Sequence, residues 1–232
     1  MLRILGQLLD RQLARCLLCG EGDGVLNGIC APCSNDLPAL GHSCQTCALP
    51  LPNTGDRHCA SCQQQPPPQS LSRACWYYAY PVAQLIQRFK YQRDLAAGHT
   101  LAELAAVVLD PAPAQHPDLL VPIPMHWRKQ LARGYNQAQL IATTLGSRWR
   151  IPVEPRALRK LTPTDSQQTL RRTQRKKNLA RSFRARADRV AGLHIGLVDD
   201  VITTGATLEA AAQALLDAGA HQVSAIALAR TP

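Results

Sequence analysis

The sequence has 232 residues, of which 46% are hydrophobic, and a formal net charge of +10 at pH 7. This composition is typical of a folded globular protein with room for one ordinary domain and one small one. No apolar run approaches membrane-spanning length, which argues against a membrane-spanning protein. Residues 1–16 lack the continuous apolar run and the cleavage site of a secretory signal, which argues against a secreted protein. We therefore predict a cytoplasmic protein.

The positive charge is local. Residues 148–189 contain 14 Lys and Arg but three acidic residues, a net charge of +11, whereas the rest of the chain has a net charge of −1. Such a basic segment can meet pyrophosphate, nucleic acid or solvent.

Eight of the nine cysteines form four CxxC pairs, separated by 10, 10 and 11 residues. A CxxC turn directs two thiolates at one metal ion, and two such turns complete a tetrahedron, so we predict two structural zinc sites. The predicted ligands are Cys16, Cys19, Cys30, Cys33, Cys44, Cys47, Cys59 and Cys62. Few large apolar residues lie between the pairs, so the metal must supply much of the folding energy there.

Other arrangements use the same cysteines. Sequential pairing places residues 16–33 at one site and residues 44–62 at the other, whereas cross-braced pairing joins the first CxxC with the third. A disulfide framework needs an oxidising compartment, which the lack of an export signal disfavours. An iron–sulfur cluster is a weaker alternative at this spacing.

A proline-rich linker divides the chain. Residues 63–70 read QQQPPPQS, and such a segment is held extended rather than continuing a helix or strand. We predict an N-terminal helix and double zinc module at 1–65, a linker at 66–72, and a second domain at 73–232.

The second domain alternates strands with helices. Buried strands are predicted at residues 76–80, 119–123, 151–158, 194–198 and 222–228, and near Phe183. Helical periodicity is predicted at residues 82–89, 95–109, 138–145 and 208–216. This alternation predicts an α/β fold with a mostly parallel sheet flanked by helices.

Cations follow the second of these strands. Val121 to Pro124 reads VPIP, a rigid turn, and Arg128 and Lys129 come directly after it. We interpret this combination as a candidate pyrophosphate site. Residues 159–179 form a long, polar, basic loop that is either functional or an amphipathic helix lying on nucleic acid.

The most informative stretch is residues 196–207, GLVDDVITTGAT. Asp199 and Asp200 follow an apolar strand, and the carboxyl ends of parallel strands are where open α/β sheets bind ligands. The turn of small residues from Thr203 to Thr207 opens a helix, whose N-terminus favours an anion. The carboxylates suit sugar hydroxyls or a hydrated Mg2+. A phosphorylated pentose would satisfy both ends.

This stretch closely resembles the phosphoribosyl-pyrophosphate (PRPP) loop of type I phosphoribosyltransferases. The resemblance implies that Asp199 and Asp200, the candidate catalytic residues, hold the ribose, and that Mg2+ accompanies PRPP. It implies that the 5′-phosphate is bound by Thr203, Thr204, Gly205, Ala206 and Thr207. A mobile loop of that family covers the pyrophosphate with cations, which makes Lys160 and Arg175 candidates alongside Arg128 and Lys129.

The whole chain resembles the ComF family, which includes the GntX proteins. The resemblance rests on the double CxxC ribbon, Lys90, VPIP at 121–124, RGYNQA at 133–138, the basic segment and VDDVITTGAT. It implies a zinc ribbon fused to a type I phosphoribosyltransferase domain that binds PRPP or a related nucleotide, and a connection with bacterial DNA uptake and its protein partners. Phosphoribosyl transfer to an acceptor stays open. The alternative is a non-catalytic protein that binds single-stranded DNA.

Overall fold

The computed structural model describes residues 15–110, 115–126, 130–131, 133–161 and 182–232. The N-terminal part contains strands β1 (Val25–Leu26) and β2 (Ile29–Cys30) and the short helices α1 (Ala31–Asn35) and α2 (Ala60–Gln64). Strand β3 (Leu71–Tyr77), helices α3 (Val82–Tyr91) and α4 (Leu95–Val108), strand β4 (Leu119–Pro122) and helix α5 (Gln137–Trp149) follow. The last elements are β5 (Leu158–Lys160), β6 (Phe183–Ala185), α6 (Ala187–Val190), β7 (His194–Ile202), α7 (Ala206–Asp217) and β8 (Gln222–Arg230).

The central sheet has four parallel strands in the order β3-β8-β7-β4. Strand β8 therefore lies inside the sheet although it follows every other strand in the chain. Strands β5 and β6 pair with each other as a separate antiparallel ribbon. The predicted architecture, a mostly parallel sheet flanked by helices with a small N-terminal cysteine module, is confirmed.

Several predicted boundaries differ from the structure. The strand predicted at residues 76–80 ends at Tyr77 and begins earlier, at Leu71. The strand predicted at 151–158 is wrong as a continuous element. One parallel bridge joins Leu120 to Val153, and β5 starts only at Leu158. A single bridge does not make a strand, because a strand needs consecutive backbone hydrogen bonds to its neighbour.

Two apolar clusters hold the sheet between its helix layers. One joins residues of α3, α4 and α5, and it also contains Cys16, Ile29, Cys30 and Leu37 from the N-terminal part. The other joins β7, β8 and α7, and Leu40 and Ala48 belong to it. The N-terminal cysteine module therefore shares its core with the sheet domain, and the predicted division at 66–72 stays a prediction.

Strand β7 lies very close to its neighbours at Gly196. A Cβ atom there would fall 2.7 Å from Leu120 Cδ2 and 2.8 Å from Pro117 Cγ, distances that side chains do not tolerate. The absence of a side chain lets β7 lie against this part of the core. This close packing fixes the position of β7 between its neighbours, and with it the position of the acidic pair that starts three residues later.

None of the helices in the described part of the chain combines the length and apolar character that a membrane crossing requires.

Candidate functional site

The acidic pair lies within strand β7, which runs on to Ile202 rather than ending at Val198. Asp199 is in register with Ala227 of β8 and partly exposed, whereas Asp200 is buried. Lys90 Nζ of α3 lies 2.8 Å from Asp200 Oδ1, and the two side chains are 19% and 13% exposed. This is a largely buried ion pair at the carboxyl edge of the sheet.

The second carboxylate of the pair has a different environment. Burial and the neighbouring charge of Asp200 raise the pKa of Asp199 to about 7. The backbone N–H of Asp200 donates to Asp199 Oδ1 at 2.8 Å, and this bond, with the charges of Lys90 and Lys160, opposes the shift. Asp199 therefore titrates near neutral pH, which is characteristic of functional sites.

Both carboxylates face a cavity of about 190 Å³. Its cationic lining residues are Lys90, Arg133 and Lys160, so three positive groups surround two acidic ones. Lys160 Nζ also lies 5.7 Å above the centroid of the Phe183 ring. The excess of cations makes this cavity suitable for a polyanionic ligand.

Helix α5 begins at the same cavity. Asn136 caps it by accepting from the Ala138 N–H at 3.1 Å, and its amide donates to Ile123 O at 2.9 Å. Gln137 is 1% exposed and accepts from Arg133 at 2.9 Å through Oε1. Its Nε2 is fully buried and makes no hydrogen bond of ordinary geometry among the described residues. The amide lies close enough to Tyr135 to oppose the burial that raises the pKa of that tyrosine.

The predicted phosphate turn follows β7 directly. Gly205 has a φ of 80° and precedes the first residue of α7, a conformation that glycine adopts without strain. Thr203 and Thr204 are exposed, and the Ala206 N–H approaches Thr204 Oγ1 at 3.4 Å. The turn thus presents hydroxyls and backbone N–H groups at the N-terminus of a 12-residue helix.

A larger cavity, of about 550 Å³, lies behind this turn. Thr204 and Ala206 form one wall, and Cys47, Cys59 and Cys62 form another. The predicted site residues are therefore divided between two neighbouring cavities. Asp199, Asp200 and Lys160 line the smaller one, whereas Arg128, Lys129 and Arg175 lie outside the described residues.

Three lining residues were not predicted as site residues. Lys90 lies in the last turn of α3, where a lysine is favoured by the helix dipole alone, so its position gives no sign of a binding role. Arg133 precedes helix α5, whose first residue is Gln137, and Gly134 between them has a φ of 90°. Helical spacing therefore gives no signal for this pair, which the turn before the helix brings together.

The eight cysteines form the two sequential groups. The thiol atoms of Cys16, Cys19, Cys30 and Cys33 lie within 4.8 Å of one another, as do those of Cys44, Cys47, Cys59 and Cys62. The cross-braced arrangement is therefore wrong. The disulfide framework is also wrong, because all nine cysteines are free thiols.

The spacing of the thiols fits a metal. Cys19 Sγ lies 3.7 Å from Cys30 Sγ, and Cys47 Sγ lies 3.7 Å from Cys59 Sγ. Four sulfurs at tetrahedral zinc, each about 2.3 Å from the ion, are about 3.8 Å apart. Each group could therefore hold a structural zinc ion with no open position.

The thiols in each group differ in acidity. Burial raises the pKa of Cys16, but backbone N–H groups of Cys19 and Cys30 outweigh burial and lower it to about 6. In the second group, burial likewise raises the pKa of Cys44, and the backbone N–H groups of Cys59 and Cys47 lower it to about 6. One thiol in each group is thus prepared to ionise, as a metal ligand must.

Two curated proteins are similar to most of the chain. The chain is 32% identical to competence protein F of Haemophilus influenzae over 224 residues, 93% of this chain and 96% of that protein. It is 34% identical to DNA utilization protein YhgH of Escherichia coli K12 over 209 residues, 88% of this chain and 91% of that one. No family model matches the chain.

Among solved structures, the chain is similar to glutamine phosphoribosylpyrophosphate amidotransferase from B. subtilis complexed with ADP and GMP. The TM-score is 0.44 and the identity 18%, over 61% of this chain and 30% of that chain.

Proposed function

This chain belongs to the competence protein F (ComF) family, and on that premise we propose that it binds PRPP with Mg2+ at the carboxyl edge of its sheet. One observation carries the proposal. An acidic pair within β7 faces a cavity with three cations, and the same strand leads into a turn at a helix N-terminus. This order supports the proposal, because the carboxylates can accept from sugar hydroxyls and the N–H groups can donate to a phosphate.

The roles of the residues follow from their chemistry. Asp199 and Asp200 accept hydrogen bonds from the ribose hydroxyls, and the turn at 203–207 donates to the 5′-phosphate. Lys90, Arg133 and Lys160 balance the charge of the pyrophosphate.

Mg2+ would enter with the ligand. Among the described residues, both groups with three or more clustered ligand atoms consist of cysteines alone. Asp200 is already paired with Lys90, and the pKa of Asp199, raised to about 7 by burial, disfavours a free carboxylate. Mg2+ retains water and binds through few carboxylates plus phosphates, which fits a site that it shares with pyrophosphate.

If transfer occurs, an acceptor nucleophile bonds to the anomeric carbon as the bond from that carbon to pyrophosphate breaks, and the acceptor loses a proton. The cations would neutralise the leaving pyrophosphate, so that positioning and electrostatics supply the catalysis. The name of one relative, DNA utilization protein, is a reason to test nucleic acids and their components as acceptors.

A second function is single-stranded DNA binding without catalysis. The DNA utilization relatives favour it. In the described part of the basic segment, however, Arg148 pairs with Glu103 and Arg189 pairs with Glu154 at 2.7 Å. These arginines are balanced by carboxylates, so DNA binding would depend on the other cations of the segment.

The test is a calorimetric titration of PRPP with Mg2+ into the full chain. We expect saturable binding that the Asp199→Asn/Asp200→Asn variant loses. The matched control is Asp110→Asn/Asp217→Asn, which makes the same charge change at exposed positions. Loss of binding in both variants, or in neither, would contradict the assignment. Pyrophosphate release with single-stranded DNA or free nucleobases present then tests transfer.

A further inference from the structure

Arg230 connects the second cysteine group to the phosphate turn. It is the last residue of β8 and 6% exposed. Its Nε donates to Cys47 O at 3.2 Å. Its Nη1 donates to Ile202 O at 3.2 Å and to Thr203 O. One guanidinium therefore bonds both to a CxxC turn and to the first residue of the phosphate turn.

The CxxC turn itself is fixed to the sheet along its length. The Ser72 N–H donates to Gln45 O at 2.8 Å, and the Ser72 hydroxyl donates to Thr46 O at 2.6 Å. With the bond from Arg230 to Cys47, three successive carbonyls of the turn are bound by residues of β3 and β8. These strands are neighbours in the sheet. The turn thus has one defined position relative to the phosphate turn.

Arg230 spans a gap. The cavity of about 550 Å³ separates the cysteine wall from the wall formed by Thr204 and Ala206, and Arg230 is part of its lining. Packing of Ala48 in the cluster of β7, β8 and α7 also joins the two sides, but the walls of the cavity itself face open space. The hydrogen bonds of Arg230 provide a rigid connection across that region.

Arginine is suited to this position. Its planar guanidinium carries five N–H donors in a fixed fork, so it can bind several carbonyls in different directions at once. The ammonium of lysine is a compact group that cannot span the same carbonyls. The hydrogen-bond acceptors of Arg230 among the described residues are carbonyl and hydroxyl oxygens. Its charge therefore serves orientation rather than an ion pair.

We propose that Arg230 is a positioning residue through which metal at the second cysteine group controls the phosphate turn. Cys44 and Cys47 would hold the metal, which would fix the position of Cys47 O, and Arg230 joins that carbonyl to the Thr203 carbonyl. Without the metal, Ser72 alone would hold the CxxC turn, so we expect the position of Cys47 O to loosen and binding of the phosphorylated ligand to weaken. The inference rests on the proposed function, because it treats residues 203–207 as the phosphate site.

Hydrogen exchange and calorimetry together test this connection. The first variant is Cys62→Ser, which removes one ligand of the second group, and its matched control is Cys33→Ser in the first group. We expect Cys62→Ser to lose one metal ion, to speed amide exchange at residues 203–207, and to weaken PRPP binding about tenfold, comparable to one lost hydrogen bond to a charged group. Cys33→Ser loses one metal ion but leaves that exchange unchanged.

Arg230→Lys separates the connection from the metal. It should retain both metal ions, show the same fast exchange at 203–207, and bind PRPP about tenfold more weakly. Combining Arg230→Lys with Cys62→Ser should add nothing further at the turn, because both changes break one connection. Arg230→Gln serves as a second variant if the lysine variant does not fold.

The outcomes are distinguishable. Equal effects of Cys62→Ser and Cys33→Ser on the turn, or additive effects of Cys62→Ser and Arg230→Lys, would overturn the proposal. If the unmodified protein does not bind PRPP, the proposed function fails. The exchange measurement still decides whether Arg230 connects the two regions.

Discussion

The two cysteine groups have the same four ligands and nearly the same spacing, yet they support different parts of the molecule. The first belongs to the apolar cluster of α3, α4 and α5, and Arg88 of α3 donates to Leu17 O at 3.3 Å. The second is fixed to the sheet by Ser72, near the start of β3, and by Arg230, at the carboxyl end of β8. The contacts around a metal group, rather than its ligands, decide whether it supports the core or the binding site.

The difference between the two groups is tested most directly by comparing Cys44→Ser with Cys16→Ser. Both positions are buried, and each variant should lose one metal ion per chain. We expect Cys44→Ser to weaken PRPP binding by about tenfold or more, and Cys16→Ser by less than about threefold, because the connection to the phosphate turn starts at the second group. Calorimetry with metal analysis measures both. Equal losses of affinity would remove the distinction between the two groups.

Lys90 can break the comparison, because α3 carries both Arg88, which contacts the first group, and Lys90, which pairs with Asp200. Lys90→Met leaves Asp200 largely buried without its cation. We expect a loss of about 2 kcal/mol in the free energy of unfolding. Denaturant titration checks this value.

The double variant Lys90→Met/Asp200→Asn is the control for this pair. It should recover much of the lost stability, because no buried charge is left unpaired. A double variant as unstable as Lys90→Met alone would mean that the lysine acts through packing.

Asp199 tests the proposed binding site directly, without changing either cysteine group. Burial raises its pKa from 3.8 to about 7, so the fold favours the neutral acid. The stability that this proton provides is present below about pH 4 and is lost as the pH rises to about 7. We expect Asp199→Asn to raise the free energy of unfolding by about 1 kcal/mol at pH 8, and the gain to shrink towards pH 4.

The same variant should lose PRPP binding. Thermal unfolding from pH 4 to pH 8 and calorimetry at pH 8 measure the two effects. A variant that is less stable than the unmodified protein at pH 8 would show that the ionised Asp199 is already satisfied in the fold.

The smallest expected effect is that of Arg88→Gln. Arg88 also pairs with Asp94 at 2.7 Å, and the Arg88 side chain is 29% exposed. We expect a loss of about 0.5 kcal/mol in stability, as for a partly solvated pair, with unchanged PRPP affinity. Denaturant titration and calorimetry test it. A change in affinity as large as that of Arg230→Lys would mean that the contact of Arg88 with the first cysteine group also affects PRPP binding.

Features that are local in the sequence could be predicted. The acidic pair, the turn at 203–207 and helix α7 follow one another within one strand–turn–helix unit. The spacing of the CxxC pairs likewise predicts the eight clustered cysteines. Sequential and cross-braced pairing satisfy the same spacing, so the structure was needed to decide between them.

Features that depend on distant contacts could not be predicted. Arg230 and Cys47 are 183 positions apart, and an arginine at the end of a strand carries no sign of a partner in a CxxC turn. The pairing of Lys90 with Asp200 likewise depends on where α3 packs. The segment around Val153 was predicted as a strand from its apolar residues, but only one bridge forms there. Apolar residues buried by side-chain packing have the same hydropathy as those buried in a hydrogen-bonded strand.

The position of β8 has a consequence for synthesis of the chain. Strand β8 lies between β3 and β7, and its last residue binds the CxxC turn. A nascent chain can therefore form its cysteine groups early, but the sheet stays divided until residues 222–230 leave the ribosome. A product that stops short of β8 would expose the unpaired strand β3 and one free edge of β7, which is the kind of surface that chaperones and proteases recognise. We therefore expect the candidate site to form only in chains that have been translated through Arg230.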